Sequence, residues 1–290
     1  MAIAVTMADY RTAEKSWWCP GCGDFGVLSA LQKTLVDLQK LPHEVAIVAG
    51  IGCSGKIGNY INCYNIHTTH GRTLPVATGI KLANRNLTVI AAGGDGDGYA
   101  IGMGHFMHAL RRNVDITYLV MDNHVYGLTK GQVSPTSDRG FVTSSTPQGN
   151  LEKPVRPLEL ALASGAGFVA QGFSGWVPQL IDILKAAIEY RGFALVNVIS
   201  PCVTYNKVNT YDYYRENLVK VEDIPGYDEK DRLGALKTVI EREGLVTGIL
   251  YREEGPSLED LLPGYREEPI VSQDLRFRQE DLKALLEEFR

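Results

Sequence analysis

Two constellations in this chain could do chemistry, and basic side chains lie near both. The first is a glycine-rich acidic turn, Gly93-Gly94-Asp95-Gly96-Asp97-Gly98, answered 28 positions after Asp95 by Asn123 in Asp122-Asn123-His124-Val125-Tyr126-Gly127. Glycines let backbone approach a phosphate closely and leave N–H groups free to point at it. One carboxylate, one amide oxygen and a nearby backbone carbonyl suit Mg²⁺, which takes few protein ligands and completes its octahedron with phosphate and water oxygens. A lone Gly-Asp-Gly is usually only a tight turn. Here the setting argues for more, because Asp95 and Asn123 each follow a short apolar run, Leu87–Ala92 and Asp115–Met121.

The second constellation is the cysteines. Cys19 and Cys22, in Trp17-Trp18-Cys19-Pro20-Gly21-Cys22-Gly23-Asp24, form a Cys-x-x-Cys that brings two thiolates to one metal edge. By itself it reads as a redox dithiol, a zinc half-site or an iron–sulfur half-site. A thioredoxin-type dithiol wants a strand before it, and the preceding segment is polar and irregular. Cys53 directly follows a predicted strand (Glu44–Ile51), and so does Cys202 (after Ala194–Ile199), whereas Cys63 follows none. Cys19, Cys22, Cys53 and Cys202 can therefore converge on one rim, where four thiolates would close a [4Fe–4S] cluster. A structural Cys₄ zinc site, the alternative, usually draws on two local pairs. The Cys-x₂-Cys-x₂-Cys run of a small ferredoxin domain is absent, so at most one cluster is implied.

His70 precedes a helix that opens near Thr73-Leu74-Pro75, with proline tolerated in the first turn. That is a good place to meet an anion or a reacting carbonyl, and equally a good place for a cap. Lys56 beside Cys53, Arg72 beside His70 and Lys130 in the long polar loop Gly127–Pro147 could pair with an anionic substrate. Each reads as readily as a solvated surface cation. His105 and His108 look structural.

The elements that must position these residues follow from the apolar pattern. The two short β-branched runs before Asp95 and Asn123 read as buried parallel strands, and Ala100–Asn113 is long enough for one crossover helix. That is a βαβ unit with both residues at strand carboxyl ends, the ligand rim of open α/β sheets. Further predicted elements are helix Gly26–Leu41, with apolar positions at Val27, Leu28, Leu31, Leu35 and Leu38, helix Pro157–Ala166, strand Phe168–Gln171 and helix Trp176–Tyr190. The expected fold class is α/β, a mostly parallel sheet with helices on both faces. From Asn206 the chain turns charged and tyrosine-rich, with helices near 230–243 and 279–289 and a weak strand, Val246–Tyr251. The expected organisation is a site-bearing domain over 1–205 and an extension over 206–290 that wraps the core or a partner.

With 290 residues the chain can bury a full core. Thirty-four acidic against 29 basic residues, net −5, argue against nucleic acid or an anionic membrane as partner. No apolar run approaches a membrane span. Met1–Ala8 has no basic region and is followed by Asp9, so it does not read as a signal peptide. The expected compartment is cytoplasmic, where five cysteines are better metal ligands than disulfides.

Six motifs now stand in order: Trp-Cys-Pro-Gly-Cys-Gly at 18–23, Gly-Ile-Gly-Cys-Ser-Gly at 50–55, His-Gly-Arg at 70–72, Gly-Asp-Gly-Asp at 94–97, Asp-Asn-x-x-Tyr-Gly-Leu-Thr-x-Gly-Gln at 122–132 and Ser-Pro-Cys at 200–202. In this combination the chain closely resembles the β subunit of 2-oxoacid:ferredoxin oxidoreductases over about residues 16 to 220. The resemblance implies the pyrophosphate half of a thiamine-diphosphate site and one [4Fe–4S] cluster on Cys19, Cys22, Cys53 and Cys202. It implies Mg²⁺ on Asp95, Asn123 and the carbonyl of Val125. Lining the cofactor would be Ile51, Gly52, Cys53, Ser54, His70, Gly94, Gly96, Asp97, Tyr126, Gly127, Leu128 and Thr129. Cys63 has no role in the family pattern.

The implied reaction is oxidative decarboxylation of a 2-oxoacid to an acyl-coenzyme A and CO₂, with thiamine diphosphate as electron sink and one-electron transfer through the cluster to ferredoxin. The glutamate that activates the cofactor belongs to the other half-site, which this chain lacks. The pyrimidine half-site is therefore implied to come from an α subunit, in an αβ unit that is single or doubled. Lys56 and Arg72 offer charge to a second, distal carboxylate and tilt the expected substrate toward 2-oxoglutarate, with pyruvate or broad 2-oxoacid use as runner-up. Two other classes fit less. A non-redox thiamine-dependent decarboxylase has no use for four thiolates, and a zinc-stapled scaffold leaves the Asp95–Asn123 pair unexplained.

Overall fold

The computed structural model describes residues 4–262, 265, 268–276 and 279–289; the first three residues of the Met1–Ala8 stretch lie outside them. In chain order the principal elements are α1 (Asp24–Asp37), β1 (Val45–Ala49), β2 (Tyr64–His67), α2 (Thr73–Ala83), β3 (Thr88–Gly94), α3 (Met103–Arg112), β4 (Ile116–Asp122), α4 (Pro157–Ala163), β5 (Phe168–Phe173), α5 (Val177–Glu189), β6 (Phe193–Ile199), α6 (Tyr211–Asn217), β7 (Val219–Lys220), α7 (Arg232–Glu241) and β8 (Val246–Arg252). The strands form one sheet in the order β2-β1-β3-β4-β6-β5-β8-β7. Every pairing is parallel except β5 with β8.

Residues one apart on a strand face opposite ways, and the core divides accordingly. Ile47, Ile90, Ala92, Leu119 and Met121 pack into one apolar cluster with Val27, Leu31 and Leu35 of α1 and Leu180, Ile183 and Leu184 of α5. Val48, Val89, Ala91, Tyr118 and Val120 pack into a second cluster with Leu74 of α2, Phe106 and Leu110 of α3, Leu158 of α4 and Val239 of α7. Helices thus cover both faces, which is why β1, β4, β5 and β6 are buried along their whole length.

The order of strands fixes where a ligand can enter. The chain leaves β1 toward β2 on one side and leaves β3 toward β4 on the other, so a crevice opens above the carboxyl ends of β1 and β3. Three differences from the sequence reading bear on the site. The β3–β4 crossover opens with a π-helical turn, Asp97–Ile101, before α3 begins. Strand β2, with all four residues exposed, was not anticipated because Tyr64-Asn65-Ile66-His67 alternates over only four residues and lies in a polar stretch. The weak strand near 246–251 is a full member of the sheet, buried at five of seven positions and paired antiparallel with β5.

Candidate active site

Above that crevice lies a cleft of about 470 Å³, a size that suits a small-molecule cofactor. Its walls come from three strand ends: Ile51, Gly52, Cys53 and Ser54 after β1, Gly94, Asp95, Gly96 and Asp97 at the end of β3, and Asn123 and Val125–Thr129 after β4. His70 joins from the turn before α2, and Gln132 and Val133 from the loop beyond Thr129. Every residue expected to line a cofactor is therefore in one cleft. Lys56, Arg72 and Lys130 are not among its lining residues. Lys130 is exposed, and Arg72 donates from Nη1 to the carbonyl of Gly71 at 3.3 Å.

Asp97 holds the floor together. It is 2% exposed, and its Oδ1 accepts the backbone N–H groups of Ile51 and Gly71, both at 2.9 Å, while Thr73 Oγ1 donates to Oδ2 at 3.1 Å. His70 Nδ1 lies 3.1 Å from the same Oδ1. A carboxylate can only accept, so the proton sits on Nδ1 and Nε2 is left as the free ring atom. Asp97 is thus a hub joining the β1 loop, the His70 turn and the β3 end. A Cβ on Gly50 would stand 2.2 Å from Asp97 Oδ2, so only glycine fits there.

Asp95 has a different environment. It is 2% exposed, accepts from Thr136 Oγ1 at 2.7 Å, and among the described residues forms no ion pair with a lysine or arginine. Burial, reinforced by the charge of Asp122, raises its pKa to about 7. Asp122 is also buried. Two buried carboxylates whose cationic neighbour is at best His124 leave a deficit of positive charge, which a bound cation would make good. The pKa of His124 is moved by burial, which opposes its charge, and by Asp122 and Asp95, which favour it; the net direction is upward. His124 itself sits at φ 57°, a left-handed conformation, and Val125 N–H donates to Asn123 Oδ1 at 3.1 Å across that turn. The donor set of Asp95, Asn123 Oδ1 and the Val125 carbonyl fits Mg²⁺.

Cys53 and Cys202 lie at the same cleft. Cys53 is one of its lining residues, and a Cβ placed on Gly127 would stand 3.6 Å from both Cys53 Sγ and Cys202 Sγ. Trp18 is buried and donates from Nε1 to the Cys53 carbonyl at 2.7 Å, which ties the Cys19–Cys22 loop to the β1 loop. Gly23 N–H donates to the Pro201 carbonyl at 3.2 Å, which ties the same loop to Cys202. Burial pushes Cys53 up to about 11, with further contributions from Asp24, Cys202 and Cys19, and Lys56 opposing. Cys22 is raised by burial, by Asp24 and by Cys53 and Cys202. Among the described residues no group of three or more His, Cys, Asp or Glu is gathered tightly enough to hold one metal ion. A structural zinc takes four ligands around a single ion, whereas a four-iron cluster takes one thiolate per iron. Cys63 stands apart, its Sγ donating to the Tyr64 carbonyl at 3.3 Å and its thiol pushed up to about 12 by burial.

The sequence reading missed two buried partners, Asp122 and Thr136. Thr136 Oγ1 reaches Asp122 Oδ1 at 2.9 Å as well as Asp95. The signal available was the long Ser/Thr/Pro-rich loop after Gly127, which gave no reason to prefer one hydroxyl over another.

Comparison with known proteins agrees with this geometry. Residues 50–198 match the thiamine pyrophosphate enzyme family, C-terminal TPP binding domain. Residues 202–267 match the C-terminal family of the pyruvate ferredoxin oxidoreductase β chain. The 2-oxoacid:ferredoxin oxidoreductase subunit beta of Saccharolobus solfataricus is 41% identical, over 94% of this chain and 96% of that one. The beta subunit of 2-oxoacid:ferredoxin oxidoreductase 1 of Aeropyrum pernix is 52% identical over 77% of this chain and 70% of its own. A solved 2-oxoglutarate:ferredoxin oxidoreductase from Magnetococcus marinus, with 2-oxoglutarate, coenzyme A and succinyl-CoA bound, superposes with a TM-score of 0.89 at 39% identity. That superposition covers 97% of this chain and 96% of that one. No helix among the described residues is long and apolar enough to cross a membrane.

Proposed function

This chain belongs to the β-subunit family of 2-oxoacid:ferredoxin oxidoreductases, and from that we propose that it oxidises 2-oxoglutarate to succinyl-coenzyme A with ferredoxin as acceptor. Pyruvate or broad 2-oxoacid use is the runner-up, favoured by the family name attached to residues 202–267. The observation that carries the reading is the shared wall: Cys53 lines the cofactor cleft, and a Cβ on Gly127, also in that lining, would stand 3.6 Å from both Cys53 Sγ and Cys202 Sγ.

Cys19, Cys22, Cys53 and Cys202 would hold a [4Fe–4S] cluster; Asp95, Asn123 Oδ1 and the Val125 carbonyl would hold Mg²⁺. When bound, thiamine diphosphate supplies an electron sink for decarboxylation, and the cluster supplies a one-electron path away from it. The chain's own residues set the conditions. At 94 and 96 a Cβ would stand 2.9 Å from Ser54 Oγ and 2.0 Å from Tyr126 Cε1, so glycine keeps this part of the cleft wall free of side chains. His70, with Nδ1 held on Asp97, offers Nε2 as the atom that can hold or give a proton to a substrate oxygen. Ile51, Leu128 and Val133 limit water in the cleft. Lys56, Arg72 and Lys130, outside the lining, are assigned to attracting and orienting an anionic substrate at the mouth.

An α subunit supplies the pyrimidine half-site, so the active unit is αβ, single or doubled, in a cytoplasmic setting. The two-part organisation at residue 205 belongs to this reading, with the later residues packing on the core and on the partner. The test is reduction of ferredoxin by the purified αβ protein with each 2-oxoacid and coenzyme A, alongside iron, zinc and magnesium analysis. A colourless protein holding zinc and reducing nothing would overturn the proposal. Equal rates with pyruvate and 2-oxoglutarate would remove only the substrate assignment.

A further inference from the structure

The turn Ser134-Pro135-Thr136-Ser137 is the most buried part of its loop, with Ser134, Thr136 and Ser137 at 5%, 2% and 0% exposure. Buried hydroxyls find partners, and these find them around the candidate metal ligands. Thr136 Oγ1 lies 2.7 Å from Asp95 Oδ2 and 2.9 Å from Asp122 Oδ1. The Thr136 carbonyl accepts His124 Nδ1–H at 2.7 Å, and Ser137 Oγ donates to the His124 carbonyl at 2.6 Å. His124 stands between Asn123 and Val125. One threonine therefore touches the carboxylate from β3 with its side chain and the loop after β4 with its main chain.

We propose that Thr136 is the positioning residue of the divalent-cation site: its hydroxyl sets the orientation of Asp95, and its carbonyl sets the Asn123–Val125 turn, so that ligands from two strands face one ion. The inference rests on the reading of Asp95 and Asn123 as magnesium ligands. A hydroxyl has one hydrogen to give, and here two carboxylate oxygens compete for it. With valine in its place Asp95 would keep only the Ser134 hydroxyl as a side-chain donor and Asp122 Oδ1 only the His124 N–H, and Asp95 would turn away from its ligand position. The back of this cluster, Asp122, His124 and Thr136, walls a second cavity of about 120 Å³ bordered by Gln171 and Asn197.

The test uses the whole αβ complex, stripped with chelator, saturated with thiamine diphosphate and titrated with magnesium chloride by calorimetry. Thr136→Val is expected to weaken Mg²⁺ by about 10- to 100-fold, the usual loss for an outer partner of a metal ligand, with Thr136→Ser within about threefold of the parent. Asp95→Asn, the reference, should show no saturable binding. Thr136→Ala supplies the same comparison if the valine variant assembles poorly. A purely structural threonine would lower the thermal midpoint of the metal-free complex and leave the Mg²⁺ constant of the assembled fraction unchanged, which overturns the proposal. If Asp95→Asn binds Mg²⁺ as the parent does, the metal-site reading fails and the proposal with it. If Asp95→Asn loses the ion while Thr136→Val and Thr136→Ala keep it, only the positioning role fails.

Discussion

Tyr126 rests directly on Gly96: its hydroxyl donates to the Gly96 carbonyl at 3.2 Å, and a Cβ on Gly96 would stand 2.0 Å from Cε1 of the ring. Strands β3 and β4 are thereby joined above the cleft through a contact that only glycine permits. Gly96→Ala must displace the ring, which is part of the cleft wall. The thiamine-diphosphate dissociation constant should rise by at least about tenfold, or about 1.4 kcal/mol. Tyr126→Phe, which loses only the hydrogen bond, should cost about 1 kcal/mol. Cofactor titration of the αβ protein checks both, and parent-like binding by Gly96→Ala would refute the contact's role.

Serine at Cys19, Cys22, Cys53 or Cys202 keeps the shape of the loop but removes a soft ligand. If these four hold the proposed [4Fe–4S] cluster, each variant should lose the broad visible absorption and most of the iron of the parent protein. Cys63→Ser, whose thiol bonds to its neighbour's carbonyl, should keep both. Iron analysis and the visible spectrum decide, and an iron-free Cys63→Ser beside an iron-replete Cys202→Ser would reverse the assignment.

On the reading proposed above, Lys56 and Arg72, outside the cleft lining, carry the substrate preference. Replacing either by alanine removes a charge-assisted contact to a distal carboxylate worth about 1.5–3 kcal/mol. The KM for 2-oxoglutarate should rise accordingly, about 10- to 150-fold, with the pyruvate KM left nearly unchanged. Parallel rises for both acids would show that these cations serve the shared carboxylate or nothing at all.

Asp260 is paired with Arg191, which donates from Nε at 2.8 Å and from Nη2. The Arg191 hydrogen bonds, partly offset by burial and helped by Ser257, pull its pKa down to about 2. A carboxyl depressed in the folded state stabilises above its unfolded value and loses that contribution as pH falls through the folded one. Asp260→Asn should therefore lower the thermal midpoint at neutral pH, and the deficit should shrink between about pH 4 and pH 2. Because the pair is open to water, the effect should stay below about 1 kcal/mol. A deficit that grows with acidity would contradict the assignment.

Sequence alone determined the fold class and most of the cleft. Strand ends are where α/β sheets bind ligands, and β-branched runs followed by Gly-Asp-Gly or Asp-Asn announce those ends without coordinates. The placement of Cys53 and Cys202 just beyond strand ends was legible in the same way, since each follows such a run. Tertiary structure decided the partners. Asp97 looked like one more cofactor residue and proved to be the hub for Ile51, His70, Gly71 and Thr73, because its oxygens are reached by donors up to 46 positions away in the chain. Thr136 was invisible among the hydroxyls of its loop for the same reason. A hydrogen bond depends on a few tenths of an ångström and on which atoms water cannot reach, and neither is written in residue type or local spacing.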